Sequence, residues 1–226
     1  MKSPLFQKLL YRTGRIRYRF QEEGIPQTLW LIFQFLLGVV YRKETALIFS
    51  RDLDSVPLSS APGHPEGLSV SLLVAEKIGE LLAVSYTSRE EVWDRLAKGD
   101  LCLVACLEGR IVHYSWLTSK NPYAWEIERV INLQQGQFYL YNCRTVRAFR
   151  SRGIYKVVIA RALEETSKRN GRSLAALVTR GNDNSQKAFH AMGFEIIQKI
   201  FFQRLGTNRQ YKEKVYATAI YTNTAS

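Results

Sequence analysis

The stretch TVRAFRSRGIY, residues 145 to 155, joins an apolar segment to an amphipathic one. The segment before it, FYLYNCRTV, has the composition of a strand, and the one after it, YKVVIARALEETSKRN, has the spacing of a helix. The first turn of a helix has backbone N–H groups without intrahelical partners and carries the positive end of the helix dipole. A strand, a glycine turn and a helix start in this order predict an anion site, and phosphate is the ligand that such a turn favours.

Two motifs in this half of the chain resemble those of one known superfamily. Residues 150–155 read as R-x-x-G-x-(G/A), with Tyr155 at the position of the last small residue. Downstream, NDNSQKAFHAMGF, residues 182–194, resembles the segment N-x-x-A/S-x-x-x-Y-x-x-x-G-F. Both motifs are those of the Gcn5-related N-acetyltransferases, the GNAT superfamily, which use acetyl-CoA. The resemblance covers residues 100–205.

The resemblance implies that acetyl-CoA, or another acyl-CoA, is the cosubstrate. We expect no metal, because the spacing of Cys102, Cys106 and His113 is unlike that of a zinc site. Backbone N–H groups of residues 152–155 would hold the pyrophosphate, the segment 143–147 would pair with the pantetheine arm, and an N–H near Val146 would contact the thioester carbonyl. The residues expected to bind the cosubstrate are Thr145, Val146, Arg147, Arg150, Ser151, Arg152, Gly153, Ile154, Tyr155, Asn182, Ser185 and Phe189.

The catalytic groups are less sharply marked in the sequence. The family often has a tyrosine, thought to protonate the leaving thiolate, where this chain has Phe189, and a phenyl ring cannot donate a proton. Candidates for the general base or for a water-holding group are Glu126, Glu128, Tyr141 and Asn142. The alternative for the two glutamates is that they are ordinary carboxylates on a strand face.

The resemblance also implies an α/β (α+β) fold, in which helices flank a mixed, mostly antiparallel central sheet. Local patterns support it. Ser88 followed by Glu91 is a capping box that opens a helix through Ala97, and Glu108-Gly109-Arg110 separates the two strands of a hairpin. Further helices are predicted over 154–169 and up to Gly193, and further strands over 127–131, 138–146, 173–178, 194–202 and 214–220.

The first third of the chain has a different character. Residues 1–20 are basic, and the uncharged run LWLIFQFLLGVV predicts a helix from Leu29 to Tyr41, which makes the N-terminal extension helical. A Pro-, Ser- and Gly-rich stretch follows, so we divide the chain into an extension and linker over 1–66 and an acyltransferase domain over 67–226. Two interpretations of residues 1–45 stay open: a peripheral membrane contact, or a helix packed on the domain with a solvated basic flank.

Composition narrows the partners without choosing one. The net charge of +12 and the pI near 9.7 favour an anionic partner, yet no nucleic-acid recognition motif is legible. Three cysteines in apolar runs indicate a reducing compartment, and we expect the cytoplasm.

We therefore expect an acyl-CoA-dependent N-acyltransferase that transfers acetyl to a primary amine by direct attack. The acceptor would be a small-molecule amine, with an amino sugar among the candidates. The alternative is a CoA-binding or membrane-associated module of the same fold that has lost catalysis, which Phe189 would permit.

Overall fold

The computed structural model describes residues 41–54 and 65–216. Within them the strands are β1 Tyr41–Asp52, β2 Ser69–Leu72, β3 Leu101–Leu107, β4 Arg110–Thr118, β5 Tyr123–Ala124, β6 Arg129–Val130, β7 Gln137–Thr145, β8 Ser173–Thr179, β9 Glu195–Leu205 and β10 Asn208–Val215. The α-helices are α1 Ile78–Val84, α2 Arg89–Ala97, α3 Ile154–Ser167 and α4 Asp183–Ala191.

Eight strands form one sheet in the order β10-β9-β1-β8-β7-β4-β3-β2, and β5 and β6 form a separate two-stranded ribbon. All neighbouring pairs in the large sheet are antiparallel except β7 and β8. Helix α3 connects these two parallel strands, as a parallel pair requires a crossover. The predicted mixed, mostly antiparallel sheet with flanking helices is confirmed.

Apolar residues on both faces of the sheet explain its layers. Helices α3 and α4 pack on one face, where Val158, Leu163 and Phe189 meet Phe49 and Leu140. Helices α1 and α2 pack on the opposite face over β3 and β4. The segment between β4 and β7 also packs on that opposite face, where its Ala124 and Ile127 contact apolar residues of β1 and β9.

Local signals place the helix ends close to the predicted positions, although the helix predicted over 154–169 ends earlier, at Ser167. The Ser88 hydroxyl accepts a hydrogen bond from the Glu91 N–H at 3.2 Å, as a capping box requires. Helix α3 ends at Ser167, and Asn170 follows in the left-handed conformation with a φ of 56°. The β3–β4 hairpin turns at Glu108 and Gly109, both of positive φ.

The strand β1 corrects two expectations. Tyr41 does not end a helix but begins β1, which is hydrogen-bonded to β8 on one side and to β9 on the other. The folded domain therefore includes strand β1, from residue 41 onward, and does not begin at residue 67. The place of strand β1 in the sheet is fixed by pairing with residues more than 120 positions later in the chain, and no local pattern reveals that pairing.

The C-terminal strands also differ from expectation. Strand β10 runs from Asn208 to Val215 and forms a hairpin with β9, whereas the sequence predicts a strand over 214–220. Residues 1–40, 55–64 and 217–226 lie outside the described residues, and with them most of the predicted N-terminal helix and linker. In the part of the chain that is described, no helix is both long and apolar enough to cross a bilayer.

Candidate functional site

The sheet opens between β7 and β8. The two strands pair only over residues 137–140 and 173–176. Beyond Leu140 and Ala176 they no longer pair with each other, although β7 continues to Thr145 and β8 to Thr179. Because paired strands normally satisfy each other's backbone groups, this divergence leaves an edge of β7 facing an opening inside the sheet.

A β-bulge lies at the opening. Asn142 has a φ of 49°, and the pairing of β7 with β4 shifts register between Tyr114 and Trp116. The bulge turns the backbone of residues 141–143 and re-aims their side chains. The Val146 N–H is not free to contact a thioester carbonyl, contrary to the expectation for an N–H near this residue. It donates to the carbonyl oxygen of Val112 at 2.9 Å.

The loop between β7 and α3 forms a cradle of N–H groups. Ser151 and Gly153 have φ values of 62° and 78°, and Gly153 is the N-cap of α3. The N–H groups of residues 151–155 have no acceptor in the described parts of the chain. Left-handed residues in a turn direct successive N–H groups to one side, and the helix dipole adds positive potential there.

Three exposed arginines surround the cradle. Arg147 begins the short 3₁₀ turn that precedes the loop. The Arg150 Nε donates to the carbonyl oxygen of Thr145 at 3.2 Å, and the Arg152 guanidinium lies over the Phe149 ring at 5.3 Å. Ile154 is buried in the core, so only its backbone faces the loop. The residues present fit a pyrophosphate, because they offer N–H donors and positive charge without a carboxylate.

A buried polar cluster lies beneath the cradle, on the α3 side of the opening. His113 of β4 is 1% exposed, and its ring nitrogens are 2.7 Å from the Thr145 Oγ1 and 2.7 Å from the Ser115 Oγ. Burial lowers the pKa of His113 to about 3, so the ring is neutral, with one nitrogen donating and the other accepting. The Tyr155 ring stacks on it at 5.3 Å.

Cys143 joins this cluster from the bulged strand. Burial raises the pKa of Cys143 to about 11, although Ser115 and the Tyr155 hydroxyl favour its thiolate and act in the opposite direction. Burial also raises the pKa of Tyr155 well above its usual value. His113 and Ser115 lie outside both sequence motifs and were not predicted to belong to the site. The signal was present in RIVHYSWLT, where two polar residues two apart share one face of a buried strand.

The two candidate glutamates differ completely in their surroundings. Glu128 is buried, and its carboxylate contacts the guanidinium groups of Arg42, Arg204 and Arg209 at 3.6, 3.3 and 3.1 Å. Glu126 is half-buried. Burial is the main cause that raises the pKa values of Tyr139 and Cys143, and the negative charge of Glu126 raises both further. Its carboxylate is therefore within electrostatic reach of both residues on β7.

Tyr141 and Asn142 are adjacent but differently placed. Asn142 is partly exposed at the bulge. The Tyr141 hydroxyl donates to the Asp100 Oδ2 at 2.6 Å, and the Arg95 guanidinium lies over its ring at 5.2 Å. Burial is the main cause that raises the pKa of Tyr141. A phenol that already donates to a carboxylate and stays protonated is a poor general base.

The second motif forms helix α4 next to the opening. The Asn182 side chain accepts a hydrogen bond from the Ser185 N–H at 3.2 Å and caps the helix. Phe189 is 1% exposed and packs against the rings of Phe49, Phe194 and Tyr155, with ring centroids 5.5, 4.9 and 5.7 Å away. No group of His, Cys, Asp and Glu side chains able to hold a metal ion occurs in residues 41–54 and 65–216.

Comparison with known proteins agrees with this geometry. The family model "Acetyltransferase (GNAT) family" matches residues 72–194, more than half of the chain. The chain therefore belongs to the GNAT acetyltransferase family, whose members use acetyl-CoA or another acyl-CoA and act on small-molecule or protein amines. None of the curated proteins matches it.

Solved structures show the same fold at low sequence identity. A GCN5-related N-acetyltransferase from Sphaerobacter thermophilus is 16% identical with a TM-score of 0.52, over 80% of this chain and 56% of that one. A GNAT-family acetyltransferase from Colwellia psychrerythraea is 14% identical with a TM-score of 0.52, over 76% of this chain and 60% of that one. The chain thus spans less than two thirds of the length of these two proteins.

Proposed function

We propose that this protein is an N-acyltransferase that moves the acetyl group of acetyl-CoA to a primary amine. The observation that carries the proposal is the opening between β7 and β8, with the N–H cradle of residues 151–155 at its mouth. The cradle supports binding of the pyrophosphate, with Arg147, Arg150 and Arg152 adding charge. Bound acetyl-CoA supplies the activated thioester, and the unpaired edge of β7 supports alignment of the pantetheine arm.

The chemistry asked of the protein is mainly positioning. A protonated amine has no lone pair, so a base must accept its proton before the nitrogen attacks the carbonyl carbon. Glu126 is the better candidate, because Glu128 is committed to three arginines. As the new C–N bond forms, the C–S bond breaks and CoA leaves as a thiolate. Phe189 cannot protonate it, but a thiolate is a fair leaving group.

The acceptor is expected near the β5–β6 ribbon and the ends of β7. The buried Tyr114 and Trp116 cannot line an open cleft, as both are at most 1% exposed. Tyr123 is 39% exposed, and its ring packs edge-on against Trp125 at 4.6 Å. This aromatic pair supports a small amine with an apolar or sugar-like face.

The test is release of free CoA thiol from acetyl-CoA in the presence of a panel of primary amines: amino sugars, polyamines and short peptides. We expect release with at least one acceptor class and none without acceptor. The second candidate function, a CoA-binding module without catalysis, is favoured by the packing of Phe189 in an aromatic core. Tight acetyl-CoA binding with no release for any amine would support that alternative and contradict the enzyme.

A further inference from the structure

No helix or loop in residues 41–54 and 65–216 covers one face of the sheet at its β1-β9-β10 end. Residues directly opposite each other on paired strands share a face, and the register gives Tyr41 opposite Leu205, Thr45 opposite Phe201 and Phe201 opposite Lys212. Farther along the same face Leu47 enters the core under α3 and α4, so this face is the one those helices cover elsewhere. At the open end it carries Tyr41, Lys43, Thr45, Lys199, Phe201, Gln203, Leu205, Asn208, Gln210, Lys212 and Lys214. We call these residues the open face.

The open face combines exposed apolar side chains with one sign of charge. Tyr41 is 47% exposed, Phe201 39% and Leu205 62%. Four lysines accompany them, and none of the open-face residues is a carboxylate; the nearby Glu44 and Glu213 point to the opposite face. None of these four lysines makes an ion pair with a carboxylate in the described parts of the chain.

The lysines are arranged at a cost to the fold. Lys199 is directly opposite Lys214 on the neighbouring strand, and like charges in that position destabilise a sheet. The Lys199 Nζ lies 4.7 Å from the centre of the Phe201 ring, a cation–π contact that does not neutralise its charge. On the other face of β1, β9 and β10 the positive charges are compensated, because Glu128 forms ion pairs with Arg204 and Arg209. An uncompensated basic face beside exposed apolar groups fits an anionic partner that also accepts apolar side chains.

We propose that the open face docks on an anionic lipid bilayer. Lysines there would lie at the headgroups, while Phe201, Leu205 and Tyr41 would enter the boundary of the acyl chains. Leu205 is at the β9–β10 turn, beside Gly206, where a side chain can enter a bilayer most easily. An aliphatic side chain in this position adds little to the binding of a nucleic acid, which relies on aromatic stacking. The proposal does not depend on the acyltransferase activity.

The test is co-sedimentation of the full-length protein with vesicles of phosphatidylcholine alone and with vesicles in which phosphatidylserine replaces part of it. One variant carries Lys43→Glu, Lys212→Glu and Lys214→Glu. The matched control carries Arg89→Glu, Arg110→Glu and Lys120→Glu, exposed residues outside the open face, and so changes the net charge equally. We expect the first variant to lose about tenfold or more of its partition onto the anionic vesicles and the control to lose less than about twofold.

A second variant, Phe201→Ser with Leu205→Gln, tests the apolar contribution without changing charge. We expect weaker binding whose remainder falls more steeply with salt. Acetyl-CoA affinity, measured on every variant, should match wild type. The melting temperature of the lysine variant should be no lower than that of wild type, because Lys214→Glu removes the repulsion from Lys199. Equal vesicle binding by the open-face lysine variant and its control would overturn the proposal and assign any membrane contact to another part of the chain. Binding of single-stranded RNA that displaces the vesicles, and is lost in the same variant, would also overturn it.

Discussion

Glu126 and Glu128 are two residues apart in the sequence and have opposite roles in the structure. Glu128 is fully buried and neutralises Arg42, Arg204 and Arg209, which come from β1, β9 and β10. Glu126 is half-buried and acts electrostatically on Tyr139 and Cys143 at the opening of the sheet. Both residues lie in the turn between β5 and β6 and not on a strand face, and Glu128 has a φ of 51°. The expectation of strand-face carboxylates is therefore wrong, because the alternation of a strand does not apply in a turn.

Replacing each glutamate with glutamine should separate catalysis from stability. Glu126→Gln should lower kcat by about 100-fold at neutral pH, because a carboxamide cannot accept the proton of the amine. The deficit should shrink at alkaline pH, where more amine is already neutral. Its urea unfolding free energy should stay within about 0.5 kcal/mol of wild type.

Glu128→Gln is the matched variant for that measurement. It should cost about 3 kcal/mol of unfolding free energy, because it leaves the buried Arg204 guanidinium without its carboxylate partner. Unchanged stability of Glu128→Gln, or full activity of Glu126→Gln, would contradict these assignments.

His113 should make the stability of the protein depend on pH. Burial lowers its pKa from 6.5 to about 3, so below pH 6.5 the unfolded chain binds a proton that the folded protein does not. The contribution is therefore complete above about pH 6.5 and is lost as the pH falls toward 3, with a slope of up to about 1.4 kcal/mol per unit.

Urea unfolding between pH 7.5 and pH 5 would show this slope in wild type and in His190→Gln, whose imidazole is exposed. His113→Gln should start from a lower stability and show a slope smaller by about one proton. The same slope in all three proteins would mean that His113 is not the group responsible.

At the scale of elements, Gly171 shows how closely α3 returns to the sheet. A Cβ at this position would stand 2.4 Å from the Thr166 Cγ2 and 2.8 Å from the Phe138 Cδ2. Gly79, within α1, has nothing within 4 Å of its own Cβ position. Packing therefore requires glycine at position 171 but not at position 79, although the sequence marks both simply as glycine.

Gly171→Ala should destabilise the protein by about 2 kcal/mol, because the added methyl forces α3 away from β7. Gly79→Ala should be neutral or stabilise by about 0.5 to 1 kcal/mol, since alanine favours the helix. Thermal and urea unfolding would compare them. If the two variants had the same stability, the close contact at Gly171 would be disproved.

Several elements could be predicted because their signals are local. The Ser88 capping box, the Glu108-Gly109 turn and the Asn182 cap depend on neighbours within a few residues. Strand β1 could not be predicted, because the segment YRKETALIFSRD is a strand through its hydrogen bonds to β8 and β9, which lie far away in the sequence. The hydrogen bond of the Val146 N–H could not be predicted either, because its acceptor, the Val112 carbonyl oxygen, lies more than 30 residues earlier in the chain.

At the scale of the molecule, the N-terminal strand is inserted between two strands from the last third of the chain. The Arg51 Nη1 of β1 donates to the carbonyl oxygen of Met192 at 2.5 Å, just beyond the end of α4. Glu128 links β1 to β9 and β10 on the opposite face. The strand thus holds the helix that carries the second motif, and it also forms one side of the open face.

The central proposal is that the N–H cradle of residues 151–155 binds the pyrophosphate of acetyl-CoA. Calorimetric titration of acetyl-CoA into full-length Gly153→Glu and Gly109→Glu tests it directly, because both glycines have nearly the same backbone conformation, with φ values of 78° and 77°. Gly109 lies at the β3–β4 turn in open space, so it reproduces the backbone strain alone. We predict wild-type affinity for Gly109→Glu and at least about 100-fold weaker binding for Gly153→Glu, which brings bulk and negative charge to the phosphate. Equal affinity of a folded Gly153→Glu protein would contradict the account.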